Sequence, residues 1–231
     1  MSDVPALVTL DLWGVAPHRV PGALLRMGVD RAHLRRTPGL GFGKLLGTGS
    51  GRTFTVGDAD PGHWGLLATW ESPGAAAAFE AGPTVQRWTR LSRERLRVGL
   101  RPLASRGRWS RRRPFGEPVP TAYDGPVAAV TRARLAATKA VTFWRAVPPV
   151  SADLHRSRGL RLAVGIGEAP VGLQGTFSLW ESASSLTEFA HRRGPHVEAI
   201  RRTAEVGWYT EELFARFAVL SVEGTFKGRE P

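Results

Sequence analysis

The residues that could do chemistry are few, and His196 stands first among them. It follows Gly194-Pro195, and glycine then proline is the natural last residue before a helix and first residue within it. The imidazole then sits in the first helical turn, where partial positive charge disfavours the imidazolium. A neutral imidazole is the form that binds a metal. Ile200 and Thr203 share its helix face and turn it toward an apolar interior. Two readings remain open: a metal-ligating or catalytic histidine, or a buried one hydrogen-bonded to a backbone carbonyl. A single histidine cannot build a zinc or non-haem iron site, which needs several protein ligands. It can hold a haem, which brings four nitrogens of its own. Arg201 and Arg202 follow on the same helix, either as propionate partners and charge stabilisers or as a solvated cationic face. Glu168 closes Gly165-Ile166-Gly167-Glu168, as a carboxylate at a barrel mouth or as an ordinary turn residue. His18, His33, His63 and His155 read as surface or capping residues.

Other chemistries are excluded by what is missing. The chain of 231 residues contains no cysteine, so disulfides, iron–sulfur clusters, thiolate nucleophiles and thiolate-ligated haem are out. No dinucleotide or phosphate-loop motif stands at a strand–helix junction. Gly47 to Gly51 reads as a connection between two strands. The formal net charge is +12, nearly all arginine, which suits an anionic partner such as a membrane surface and equally suits a GC-rich genome. The cluster Arg108 and Arg111 to Arg113 is too short and too poor in aromatics for nucleic acid. No apolar run is long enough to span a bilayer, and the N-terminus has no signal pattern, so a cytoplasmic protein is expected.

The elements that must position these residues come in duplicate. Thr69-Trp70-Glu71-Ser72 and Leu179-Trp180-Glu181-Ser182 each follow a glycine-rich stretch. Each precedes an alanine- or serine-rich run, then Gly-Pro and arginines. Gly82-Pro83-Thr84 in the first copy stands where the second has Gly194-Pro195-His196. In the first copy, periodicity predicts strands at 5–15, 40–47, 63–70 and 95–103, with helices at 23–35 and from 73 to about 93. In the second it predicts strands at 126–134, 159–166, 171–180 and 214–222, with helices at 138–157 and from 183 to about 206. Each half is β-α-β-β-α-β, the ferredoxin-like order. The expected domains are an N-terminal half at 1–104, a linker at 105–125 and a C-terminal half at 126–231. Two such open sheets bury their bare faces against each other. The expected fold is α+β, with tandem ferredoxin-like repeats forming an intramolecular pseudo-dimeric α+β barrel.

Several stretches carry a resemblance. Gly41 to Gly47 (GFGKLLG), Gly125 to Ala133 (GPVAAVTRA), Phe143 to Pro148 (FWRAVP), Gly165 to Pro170 (GIGEAP), Thr176 to Trp180 (TFSLW), Gly194-Pro195-His196 and Glu211 to Phe217 (EELFARF) resemble the spheroidene monooxygenase family, from about residue 7 to 228. The resemblance implies a haem b enzyme that puts oxygen from dioxygen onto an acyclic carotenoid, forming a keto group near one end of the polyene. It implies an electron donor, a separate protein among the options, and a basic surface held at an anionic membrane. It places the axial iron ligand at His196 and offers Arg201, Glu168, Lys44 and Trp144 as catalytic candidates. Two other functions stay open on the same scaffold. One is a haem enzyme of another class, resembling an aldoxime dehydratase or a peroxidase. The other is a cofactor-free barrel that binds an apolar ligand. Oligomeric state is left open.

Overall fold

The computed structural model describes residues 3–50, 52, 56–135, 151–168, 175–191, 206 and 208–231. Strand alternation sets its architecture. In β1 (Leu7–Val15), Val8, Leu10 and Leu12 join one buried cluster while Trp13 and Val15 join another. A strand whose side chains alternate between two cores is buried on both faces.

The remaining strands are β2 (Leu40–Gly49), β3 (Ala59–Trp70), β4 (Ser92–Gly107), β5 (Val127–Leu135), β6 (Leu160–Gly167), β7 (Gly175–Trp180) and β8 (Tyr209–Gly224). They close into an antiparallel barrel in the order β1-β3-β2-β6-β7-β5-β8-β4. Each half contributes the order 4-1-3-2, so the fold is the expected pseudo-dimeric α+β barrel. One seam between halves, β2 with β6, runs only from Gly47↔Gly167 to Gly49↔Gly165. The other, β4 with β8, runs from Leu96↔Gly224 to Gly107↔Leu213. That long pairing carries β4 through Gly107, and pairing with β5 starts β8 at Tyr209, beyond the expected 95–103 and 214–222. A register shift between Pro102 and Ala104 falls where proline cannot donate to the ladder.

Helices α1 (Val20–Leu34), α2 (Pro73–Glu80) and α3 (Pro83–Leu91) cover the convex face of the first half; α4 (Ala183–His191) lies on the second. The Ser72 hydroxyl accepts from the Ala75 N–H at 3.1 Å and caps α2, with Pro73 behind it. Ser182 does the same for α4, accepting from Ser185 at 3.2 Å. These caps satisfy amide groups that a helix start leaves bare.

The barrel interior is filled by side chains of both halves. Segment 105–125, polar by composition, still sends Trp109 and Phe115 into that core, where Phe115 meets Phe217 edge-on at 4.8 Å.

Candidate functional site

Period-two alternation brings a charged cluster into the barrel. Lys44 follows inward-facing Phe42 on β2, Arg132 follows Ala128 and Val130 on β5, Glu168 follows Val164 and Ile166 at the end of β6, and Glu211 precedes Leu213 and Ala215 on β8. Glu168 is the hub. It accepts from Lys44 Nζ at 2.6 Å, Trp109 Nε1 at 2.7 Å and Arg132 Nη2 at 2.8 Å. Arg132, 1% exposed, also pairs with Glu211. Burial pushes the Glu168 carboxyl up, but Lys44, Trp109 and Arg132 outweigh it and hold it below the usual range. Glu211 is likewise held low: burial is outweighed by the Arg111 and Ser110 amides and Arg132.

Those two amides belong to a tight turn. After β4 the chain doubles back at Trp109-Ser110-Arg111-Arg112, with positive φ at Ser110 and Arg111. Trp109 plugs the barrel end, 1% exposed and edge-on to Phe42 at 5.6 Å. The crevice beside Trp109 and Arg132, lined also by Leu46, Ile166 and Gly167, leaves no room for a water-sized guest. Lys44 and Glu168 are therefore brought together, but in a closed and mutually satisfied network.

The other barrel end repeats the device. After β8 the turn Phe226-Lys227-Gly228-Arg229 inserts Phe226, and Glu94, the register mate of Glu211, accepts from the Lys227 and Gly228 amides and the Thr225 hydroxyl. The partner of the carboxylate here is a histidine. His63, only 5% exposed, places Nδ1 2.9 Å from Asp60 and Nε2 3.0 Å from Glu94, with its ring 4.9 Å from Phe226. Burial lowers its pKa, yet the two carboxylates win and raise it. A buried histidine held between two carboxylates replaces the surface residue expected from sequence. Both ends being plugged, the barrel interior is core and not a channel.

The convex faces differ, and pairing registers align them residue by residue. One corner matches: Trp70 on Phe79 at 5.0 Å in the first half, Trp180 on Phe189 at 5.5 Å in the second. Elsewhere bulk is missing. Trp13, Leu45 and Leu66 pack beneath helices α1 to α3, and their mates are Ala133, Gly165 and Thr176. Asp11, sealed by Arg95 at 2.6 Å, has Thr131 as its exposed mate. Arg216 stands on this pared face, and its buried Nε has no hydrogen-bond partner. A flat apolar group with an anionic edge suits such a surface, with small side chains below it and one unpaired guanidinium nitrogen beside it.

His196, Arg201, Arg202 and Trp144 lie outside the described residues. Among the described residues no group of three or more His, Asp or Glu is placed to hold a metal. Sequence reading missed Arg132, Glu211, Trp109, Arg216 and the buried His63. A signal existed for Arg132, since alternation through Ala128 and Val130 puts it on the inward face.

No protein-family model matches the chain. Over 218 residues it is 37% identical to the spheroidene monooxygenase of Rhodobacter capsulatus, covering 92% of this chain and 89% of the relative. Over 235 residues it is 41% identical to that of Rubrivivax gelatinosus, covering 99% and 86%. Among solved structures, an aldoxime dehydratase crystallised with butyraldoxime superposes with a TM-score of 0.58 at 11% identity, covering 92% of this chain and 79% of that one. A second aldoxime dehydratase gives 0.55 at 12%. At such identities the likeness is of the fold alone.

Proposed function

Because the chain belongs to the spheroidene monooxygenase family, we propose that it oxygenates an acyclic carotenoid, forming a carbonyl near one end of the polyene. The near full-length identity of 41% to a spheroidene monooxygenase carries this reading. We further propose that the enzyme works with haem b, an external electron donor and dioxygen. Haem supplies the iron on which dioxygen is activated.

What supports haem is the pared convex face of the second half. The residues present fit the group. Ala133, Gly165 and Thr176 are small where Trp13, Leu45 and Leu66 of the first half are bulky. Arg216, with Arg201 and Arg202, supplies cations for propionates. His196 is the proposed iron ligand. By the repeat it takes the place of Thr84, which is 6% exposed in the first turn of α3. The positive end of a helix keeps an imidazole there neutral. Trp144 is proposed to line the substrate side. Lys44 and Glu168 are proposed to act by position: their ion pair fixes the end of β6, which borders the pared face.

The test is hemin titration of the purified protein beside His196→Ala. A Soret band in the wild type that is lost or shifted in the variant is expected. No band in either protein overturns the haem reading. Incubation with an acyclic carotenoid, a reductant and isotopically labelled dioxygen is expected to place the label in a product carbonyl.

A further inference from the structure

Helix α1 shows an apolar face to solvent. Its inner face, Ala23, Met27, Asp30 and Leu34, is buried on the sheet. Pro21, Leu24, Leu25, Gly28, Val29 and Ala32 are all exposed, and at 100° per residue they form one stripe. Leu25 is 60% exposed, Leu24 43% and Val29 40%. Six large apolar side chains are exposed among the described residues, and three of them are on this stripe. A cluster of that kind marks a contact surface.

The charge around the stripe selects the contact. His18 and Arg19 precede the helix, and Arg31, His33, Arg35 and Arg36 crowd its far end, all exposed. The helix's one acid, Asp30, is fully buried and faces Arg87 at 3.2 Å and Arg26 at 3.7 Å. An apolar strip with basic residues at both ends complements an anionic bilayer surface. A second copy of this chain fits poorly, because either helix orientation sets basic ends against basic ends. The helix has 15 residues and no described helix is long and apolar enough to cross a membrane, so it would lie in the interface. Arg31 also donates to the backbone carbonyl of Glu168 at 2.6 Å, tying α1 to the end of β6.

We propose that the exposed face of α1 docks the protein on anionic lipid bilayers, with Leu24, Leu25 and Val29 entering the headgroup boundary and the flanking arginines meeting lipid phosphates. The choice of lipid over an acidic protein rests on the carotenoid reading, since a polyene substrate dissolves in bilayers.

Gly28 offers a clean test, because a side chain there meets nothing within 4 Å. Co-sedimentation is measured with vesicles of phosphatidylcholine and phosphatidylglycerol, and with phosphatidylcholine alone. The wild type is expected to bind the mixed vesicles, less so at high salt. Gly28→Glu is expected to lower partition at least about tenfold, and Gly28→Leu to raise it severalfold. Neither should lower the thermal midpoint, since both replace a helical glycine. Leu25→Gln serves as a second weakening variant. Absence of wild-type binding, equal binding to neutral vesicles, or binding unmoved by Gly28→Glu and Leu25→Gln overturns the proposal. So does concentration-dependent self-association that Gly28→Glu abolishes without vesicle binding. No substrate or haem is added, so failure here leaves the oxygenase reading untouched, and failure of that reading leaves vesicle partition to stand or fall alone.

Discussion

At the residue scale, the two barrel ends are built alike and charged differently. Glu211 and Glu94 occupy matching registers, and each holds the turn that follows the strand paired with its own. Glu211 is partnered by Arg132, a permanent cation. Glu94 is partnered by His63, which titrates. The sign follows from linkage. His63 has a raised folded pKa, so its contribution is complete below the unfolded value of about 6.5 and is lost as pH rises through the folded one. Glu94, Glu168 and Glu211 have lowered pKa values. Their contribution is complete above about 4.5 and is lost as pH falls through the folded values. Urea denaturation across pH is expected to show a plateau with a decline on each side. His63→Gln is expected to cost about 1–3 kcal/mol at pH 6, to flatten the alkaline decline, and to reduce the acid one only by the share of Asp60 and Glu94, which His63 helps to hold low, while the share of Glu168 and Glu211 stays. An alkaline decline unchanged in that variant would show that His63 is not its source.

At the element scale, β4 and β8 decide how the barrel closes. Each ends in a glycine of positive φ, Gly107 at 88° and Gly224 at 85°. A Cβ on Gly107 would lie 2.2 Å from the Glu212 carbonyl oxygen, and one on Gly224 would lie 2.0 Å from that of Arg95. Both the left-handed conformation and the close backbone approach require glycine. Gly107→Ala and Gly224→Ala are each expected to destabilise by about 2 kcal/mol or more, read as a lower urea midpoint. The Gly107 change should also expose Trp109, which sits in the turn that Gly107 launches. A red shift in tryptophan emission separates that effect from a general loss of stability.

At the scale of the whole molecule, duplication gives two convex faces and sequence divergence gives them different contents. The first is packed to completion around Trp13, Trp64, Trp70 and Trp88, with Trp13 and Trp88 stacked at 5.2 Å. The second is pared to Ala133, Gly165 and Thr176 at the matching positions. Restoring the bulk should close the proposed haem site. Ala133→Trp, which copies Trp13, is expected to weaken hemin binding at least about tenfold while the apoprotein stays folded. Circular dichroism of the apoprotein beside the hemin titration checks both halves of that statement. A variant that binds hemin like the wild type would place the cofactor elsewhere.

The amino-acid sequence by itself determined the repeat and the barrel. Periodicity, capping residues such as Ser72 and Ser182, and Gly-Pro breaks are local signals, and local signals survive in one dimension. The resemblance in GFGKLLG and EELFARF identified the family for the same reason. Two sequence candidates, Lys44 and Glu168, do meet, 124 positions apart, but that they meet inside a closed network was decided by the β2–β6 seam. The burial of His63 depended on Phe226, far along the chain, and the lengths of β4 and β8 on their pairing with each other and, for the start of β8, with β5. The exposure of Leu25 and Val29 depended on which face of α1 the sheet takes, since a helix apolar on both sides carries no periodic signal to choose between them. Such features rest on contacts between segments remote in sequence, and only the folded chain brings those segments together.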